Sequence, residues 1–104
     1  MEVADLTDKN YEEIIAATES GLILFHKKLC PHCLNMKKVI EKFIAAKGEG
    51  VSVIYMDSEE NPKGMQSLDV ERVPTLVIVK KGKVAATKSG LMNPRELAAS
   101  YQNA

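Results

Sequence analysis

Three short apolar runs, Leu22–His26, Val51–Met56 and Thr75–Lys80, are separated by stretches of helical spacing, and this alternation constrains the chain more than any other feature. A strand covered on both faces reads as a near-continuous apolar run, whereas a half-exposed strand alternates. Between the first two runs, Met36, Val39, Ile40, Phe43 and Ile44 recur at helical spacing and form one apolar stripe. That helix opens near Pro31, whose missing N–H has no partner in a first turn anyway, and Gly48 is its expected stop.

Weaker signals fill in the rest. Val3–Leu6 is a short strand candidate. Asn10 and Glu13 have capping-box spacing, Tyr11, Ile14, Ile15 and Thr18 follow on one helical face, and Gly21 is the expected stop. Asn61-Pro62 starts a short helix through Met65 and Leu68. Lys81-Gly82 is a tight turn after which Lys83–Lys88 returns as a hairpin strand. Asn93-Pro94 with Glu96 starts a last helix that carries Leu97 and Tyr101 on one face. The expected order is β-α-β-α-β-α-β-β-α. Strands alternating with helices imply parallel pairing with right-handed crossovers, and the closing hairpin adds antiparallel strands. The fold class is therefore α/β: a central mixed sheet flanked by helices on both faces, with residues 1–104 as one domain.

A chain of 104 residues is long enough for one hydrophobic core without disulfide staples. With 45% hydrophobic and 27% charged residues it is neither a disordered nor a membrane protein, and no apolar run reaches spanning length. The acidic start MEVADLTDKNYEE does not read as a secretory signal, so a cytoplasmic location is expected. A formal net charge of zero argues against nucleic acid as the main partner. The zero hides blocks: residues 1–20 and 49–71 are acidic, whereas 21–48 and 72–104 are basic. The first basic block surrounds both cysteines of the chain.

Two cysteines in a cytosolic protein are not expected to be a structural staple, and they are too few for a four-cysteine zinc site. Cys30-Pro31-His32-Cys33 lies where a strand ends and a helix begins. Cysteines three apart at a helix start face the same side and can form or break a disulfide with little backbone movement. Cys30, near the N-cap, is expected to be the more exposed sulfur, activated by free N–H groups and the positive end of the helix. Cys33, one turn further in, is expected to resolve the mixed disulfide. Protonated His32 is a cation beside the Cys30 thiolate, and Lys27 and Lys28 act in the same sense. Stabilising the thiolate favours the dithiol and makes the couple more oxidising. The competing readings are two inert buried cysteines, or a metal held by Cys30, Cys33 and His26 or His32.

Along almost its whole length the sequence resembles the thioredoxin family. Gly21–Phe25 is similar to that family's central strand, Val73-Pro74-Thr75 to its cis-proline turn, and Asp57 with Asn61-Pro62 to the segment after the next strand. Gly82–Gly90 resembles its last hairpin and glycine loop. The resemblance implies a protein-disulfide oxidoreductase with no bound cofactor and no metal. Its partners would be protein disulfides and a separate thiol reductase, such as thioredoxin reductase, as electron donor. Neither nucleic acid nor membrane is implied, and the chain is expected to be a monomer. The catalytic residues implied are Cys30, Cys33, His32 and Pro31. Leu29, Val73, Pro74, Gly90 and Leu91 would meet the substrate, with the Val73 backbone pairing to an extended segment. Met92 and Pro31 extend the same apolar rim, and Arg72 is a candidate for steering acidic substrates.

Four positions depart from the family pattern. Leu29 stands where Trp usually precedes the first cysteine. Pro31-His32 replaces Gly-Pro and looks like the dipeptide of the periplasmic oxidant DsbA. The family's buried Asp falls at Leu24 and its usual Lys partner near Val53, so proton transfer at Cys33 must use water, His26 or His32. Lys38 replaces a helix-bending proline, which implies a straighter helix. Two other functions stay open at this level: a glutaredoxin-like enzyme using glutathione, and a binding module whose thiols are incidental. Phe25, Phe43 and Tyr55 are expected in the core, and Met36, Met56 and Met65 as gap fillers.

Overall fold

Leu22, Ile23, Leu24 and Phe25 are closed off from solvent, and the strand they form, β2 (Ser20–His26), is the middle of the sheet. The computed structural model describes residues 3–5, 10–47 and 50–104, with the backbone alone at Val3–Asp5 and Lys47. Around β2 the elements are β1 (Val3–Asp5), α1 (Tyr11–Ala17), α2 (Pro31–Lys47), β3 (Ser52–Asp57), α3 (Pro62–Ser67), β4 (Thr75–Lys80), β5 (Lys83–Ser89) and α4 (Pro94–Asn103). Chain order is the one read from the sequence. The expected strand end Leu6 and helix stop Gly48 lie outside the described residues.

The five strands are ordered β1-β3-β2-β4-β5. β3 runs parallel to β1 and β2, while β4 runs antiparallel to β2 and β5. Ile23 therefore stands between Ile54 on one side and Val77 on the other. Successive side chains alternate between the two faces. Leu22, Leu24, Val53, Leu76 and Ile78 meet Met36, Ile40 and Phe43 of α2 and Leu97 and Tyr101 of α4. Ile23, Phe25, Ile54, Met56, Val77 and Val79 meet Tyr11 and Ile15 of α1, with Met65 and Leu68 packed alongside. Both faces are covered, which is why the apolar runs do not alternate.

β5 is the exposed edge, and its lysines Lys83 and Lys88 oppose pairing with another chain. The preceding turn places Lys81 at φ 55° and Gly82 at φ 76°, the positive pair that a two-residue hairpin favours. Their amides donate to the Glu19 and Thr18 carbonyls at 2.7 and 2.8 Å, docking the turn on the end of α1. A Cβ at Gly82 would lie 2.7 Å from the Ala16 carbonyl oxygen, so the turn needs glycine.

Two local expectations are corrected. Asn10 is the N-cap of α1, but its side chain makes no capping bond. α1 stops at Thr18, whose hydroxyl donates to the Ile14 carbonyl at 2.6 Å, and Gly21 belongs to β2. Gly21 serves close packing instead, since a Cβ there would meet Thr18 Cγ2 at 2.7 Å. The capping box forms at α4: Asn93 Oδ1 accepts from the Glu96 amide at 2.8 Å, and Glu96 Oε1 from the Asn93 amide at 3.2 Å.

Candidate active site

β2 leaves the sheet at His26, and five residues later, at Pro31, the chain is helical. Leu29 makes the change of direction at φ 55°, a left-handed conformation that costs a side-chain-bearing residue roughly 1–2 kcal/mol. Its side chain is 99% exposed. The Cys30 carbonyl then accepts from the Leu34 amide at 3.2 Å, the first bond of α2, so Cys30 holds the N-cap position.

Cys30 and Cys33 are joined as a disulfide with Cα atoms 5.2 Å apart. The Cys33 amide donates to the Sγ of Cys30 at 3.1 Å. Both cysteines are buried, Cys30 at 8% exposure and Cys33 at 2%. A first-turn N–H aimed at Cys30 Sγ and the positive end of α2 both favour an anion on that sulfur. The first turn of α2 carries no acidic residue to oppose them. Pro31 and His32 are exposed in that turn.

The sheet brings the other expected residues to the same end. β2 and β4 are antiparallel with Phe25 opposite Thr75, so the residues before Thr75 lie beside the exit from β2. The Val73-Pro74 peptide there is cis. Pro74 is buried, and its carbonyl accepts from the Gly90 amide at 2.9 Å. Thr75 Oγ1 donates to the Arg72 carbonyl at 2.6 Å and lies 3.2 Å from Ser89 Oγ, which fastens the turn to the end of β5. Gly90 at φ 91° uses glycine's freedom to leave β5, and Leu91 follows half exposed. Leu29, Val73, Gly90 and Leu91 thus share one end of the molecule, with Met92 packed against the core. Arg72 is exposed.

A cleft of about 300 Å³ opens beside the sulfurs, lined by His26, Cys30, Cys33, Leu34, Lys37 and Asp57 among others. Sequence reasoning did not place Leu34, Lys37 or Asp57 there. Lys37 was accessible to it, since it stands four residues after Cys33 on one helical face. Asp57 needed the sheet register, in which it is the partner of His26. A larger hollow of about 470 Å³ lies at the other end of β2 and β3, and its lining includes Thr18, Glu19, Ser20 and Ser52 but no thiol or imidazole.

Leu24 and Val53 are buried in the apolar α2-side core, and Leu24 stands opposite Tyr55 on β3. Lys38 lies within an uninterrupted α2. Tyr55, expected in the core, is only partly buried. The His26 ring stands edge-on to it at 6.0 Å, and Lys37 Nζ lies 5.1 Å from its centroid. Burial, and after it the charge of Glu41, raises the Tyr55 pKa above 10.0.

Among the described residues, no group of three or more His, Cys, Asp or Glu is placed to hold a metal ion. No described helix is long and apolar enough to cross a membrane.

A cysteine pair closed across the first turn of a helix, at the end of the central strand and level with a cis-proline turn, defines a thiol–disulfide oxidoreductase. The thioredoxin family model matches residues 2–103. The thioredoxin of Listeria monocytogenes is 34% identical over 91% of this chain and 91% of its own, and that of Rhodospirillum rubrum 31% over 88% and 89%. The solution structure of reduced desulfothioredoxin from Desulfovibrio vulgaris Hildenborough superposes with a TM-score of 0.85 at 44% identity, covering 100% of both chains. The chain belongs to the thioredoxin family.

Proposed function

We propose that this protein is a protein disulfide reductase in which Cys30 attacks and Cys33 resolves. The Cys30 thiolate attacks one sulfur of a substrate disulfide, forming a mixed disulfide and releasing the first substrate thiol. Cys33 then attacks Cys30 Sγ, the Cys30–substrate bond breaks, and the second substrate thiol leaves. Two electrons pass to the substrate and the Cys30–Cys33 disulfide remains. A separate thiol reductase, with thioredoxin reductase as the candidate, returns the pair to the dithiol, and no bound cofactor takes part.

The observation that carries this reading is the Cys33 amide aimed at Cys30 Sγ from the first turn of α2. Pro31 starts the helix and His32 adds positive charge beside the thiolate when protonated. Leu29, Val73, Gly90 and Leu91 form the docking rim. The buried ring of Pro74 shapes that rim, and the Val73 backbone pairs with an extended substrate segment. The protein acts as a monomer in the cytoplasm, where two cysteines serve exchange better than stapling.

Insulin reduction with dithiothreitol tests the reading. Wild type accelerates precipitation of the insulin B chain and Cys30→Ser does not. Equal rates from the two proteins would reduce the chain to a binding module with incidental thiols.

A further inference from the structure

Cys33 has a task that its surroundings oppose. To attack Cys30 Sγ it must first lose a proton, yet it is 2% exposed, and burial in apolar surroundings disfavours a thiolate. The α2-side core, with Leu24, Met36 and Val53 among its residues, is hydrocarbon. A proton acceptor must therefore come from the cleft that reaches Cys33.

The cleft's ionisable lining narrows the choice. From the loop after β2 come Lys27 and Lys28, from α2 Lys37, from β3 Asp57, and from β2 His26. Lysine and aspartate side chains ordinarily keep one charge state across the neutral range, whereas imidazole gains and loses a proton there. Asp57 is also engaged: its Oδ1 accepts from the Glu59 and Glu60 amides at 2.9 and 3.2 Å. His32 belongs to the exposed first turn and is not part of the cleft wall.

His26 is held in place by the sheet. It follows Leu22 and Leu24 on the alternating pattern of β2, so its side chain is on the α2 face. Its carbonyl accepts from the Ser58 amide at 2.7 Å, and its ring stands edge-on to Tyr55. Tyr55 in turn lies under Lys37. A cleft of about 300 Å³ has room for water between ring and thiol, a water taking about 30 Å³.

We propose that His26 is the proton-transfer partner of Cys33, a deepening of the reductase reading above. In the resolving step neutral imidazole takes the Cys33 thiol proton through water. Cys33 Sγ then bonds to Cys30 Sγ as the Cys30–substrate bond breaks, and the departing substrate thiolate takes the proton from the imidazolium. One proton moves from protein to product, and His26 ends neutral as it began.

The aromatic disulfide 5,5′-dithiobis(2-nitrobenzoate) separates the two steps in a stopped-flow experiment on the reduced protein. Attack by Cys30 releases one coloured thiolate, and resolution by Cys33 releases a second. In wild type the second phase should rise with pH through the imidazole range and then level off. His26→Gln should slow that phase by about tenfold or more at pH 7, move its rise to higher pH, and converge on wild type near pH 9. The first phase should change less than about twofold, and added imidazole should restore the second phase in His26→Ala. Superimposable pH profiles of the second phase in wild type and His26→Gln would overturn the proposal while leaving the reductase reading intact. A missing first phase in wild type would instead sink the reductase reading. Should His26→Gln fail to fold, wild type alone decides: a second phase that does not level off as imidazole titrates overturns the assignment.

Discussion

The amide of Cys33 points at the sulfur of Cys30 across 3.1 Å. A hydrogen bond to sulfur strengthens when the acceptor becomes an anion, so this contact favours the thiolate once the disulfide is opened. The same turn of helix that closes the disulfide thus readies the first sulfur for the next attack. Leu29 contributes by turning the chain sharply enough for α2 to begin at Cys30.

His32 is predicted to set the poise of the pair. A cation in the first turn stabilises the Cys30 thiolate and so the dithiol. Titration against a glutathione buffer should give wild type a potential less reducing than thioredoxin's of about −270 mV. His32→Gly should lower it by tens of millivolts, about 30 mV per 1.4 kcal/mol of thiolate stabilisation lost. A potential unchanged in His32→Gly would remove His32 from the account.

Leu29 and Leu91, 99% and 50% exposed, are placed to be covered by a protein substrate. Leu29→Ser and Leu91→Ser should each lower kcat/KM for insulin by about fivefold, equivalent to roughly 1 kcal/mol of lost apolar contact. Turnover of a small disulfide, which does not reach the rim, should be unchanged. Equal losses on both substrates would argue for damage to the sulfurs' setting rather than to docking.

The asparagine cap of α4 gives a test of the fold. Asn93 exchanges hydrogen bonds with Glu96, so Asn93→Ala should cost about 0.5–2 kcal/mol in urea unfolding. Asn10 caps α1 without a side-chain capping bond.

That pair also shows where the sequence was legible. Both asparagines stand three residues before a glutamate, and the spacing is the same. Pro94 fixes the start of α4 just after its cap and the box forms there, whereas Asn10 is followed by Tyr11, whose ring turns into the α1-side core. The strand runs were readable because both faces of β2, β3 and β4 are covered. The cysteine pair was readable because the strand-to-helix change gives it a place. Gly21 was misread because its reason is the nearby Thr18 methyl, which no local pattern reports. The Lys37–Tyr55–His26 arrangement was invisible for a similar cause: it joins α2, β3 and β2, and register alone brings them together.

Tyr55 gives a pH dependence with a definite sign. Burial, then Glu41, raises its folded pKa above the ordinary 10.0, so the unfolded chain loses the phenolic proton first. Its contribution to stability is therefore full below about pH 10 and falls as pH rises through the folded value. Urea midpoints at pH 8 and pH 11 should differ less for Tyr55→Phe than for wild type. An equal difference would show that Tyr55 carries none of the alkaline loss.

The state of the Cys30 sulfur is tested most directly by alkylating the reduced protein with iodoacetamide across pH and locating the label by peptide mapping. Label should appear on Cys30 before Cys33, with a rate midpoint below the free-cysteine value of about 8.5. A midpoint at or above that value, or label arriving first on Cys33, would contradict the assignment of Cys30 as the activated nucleophile.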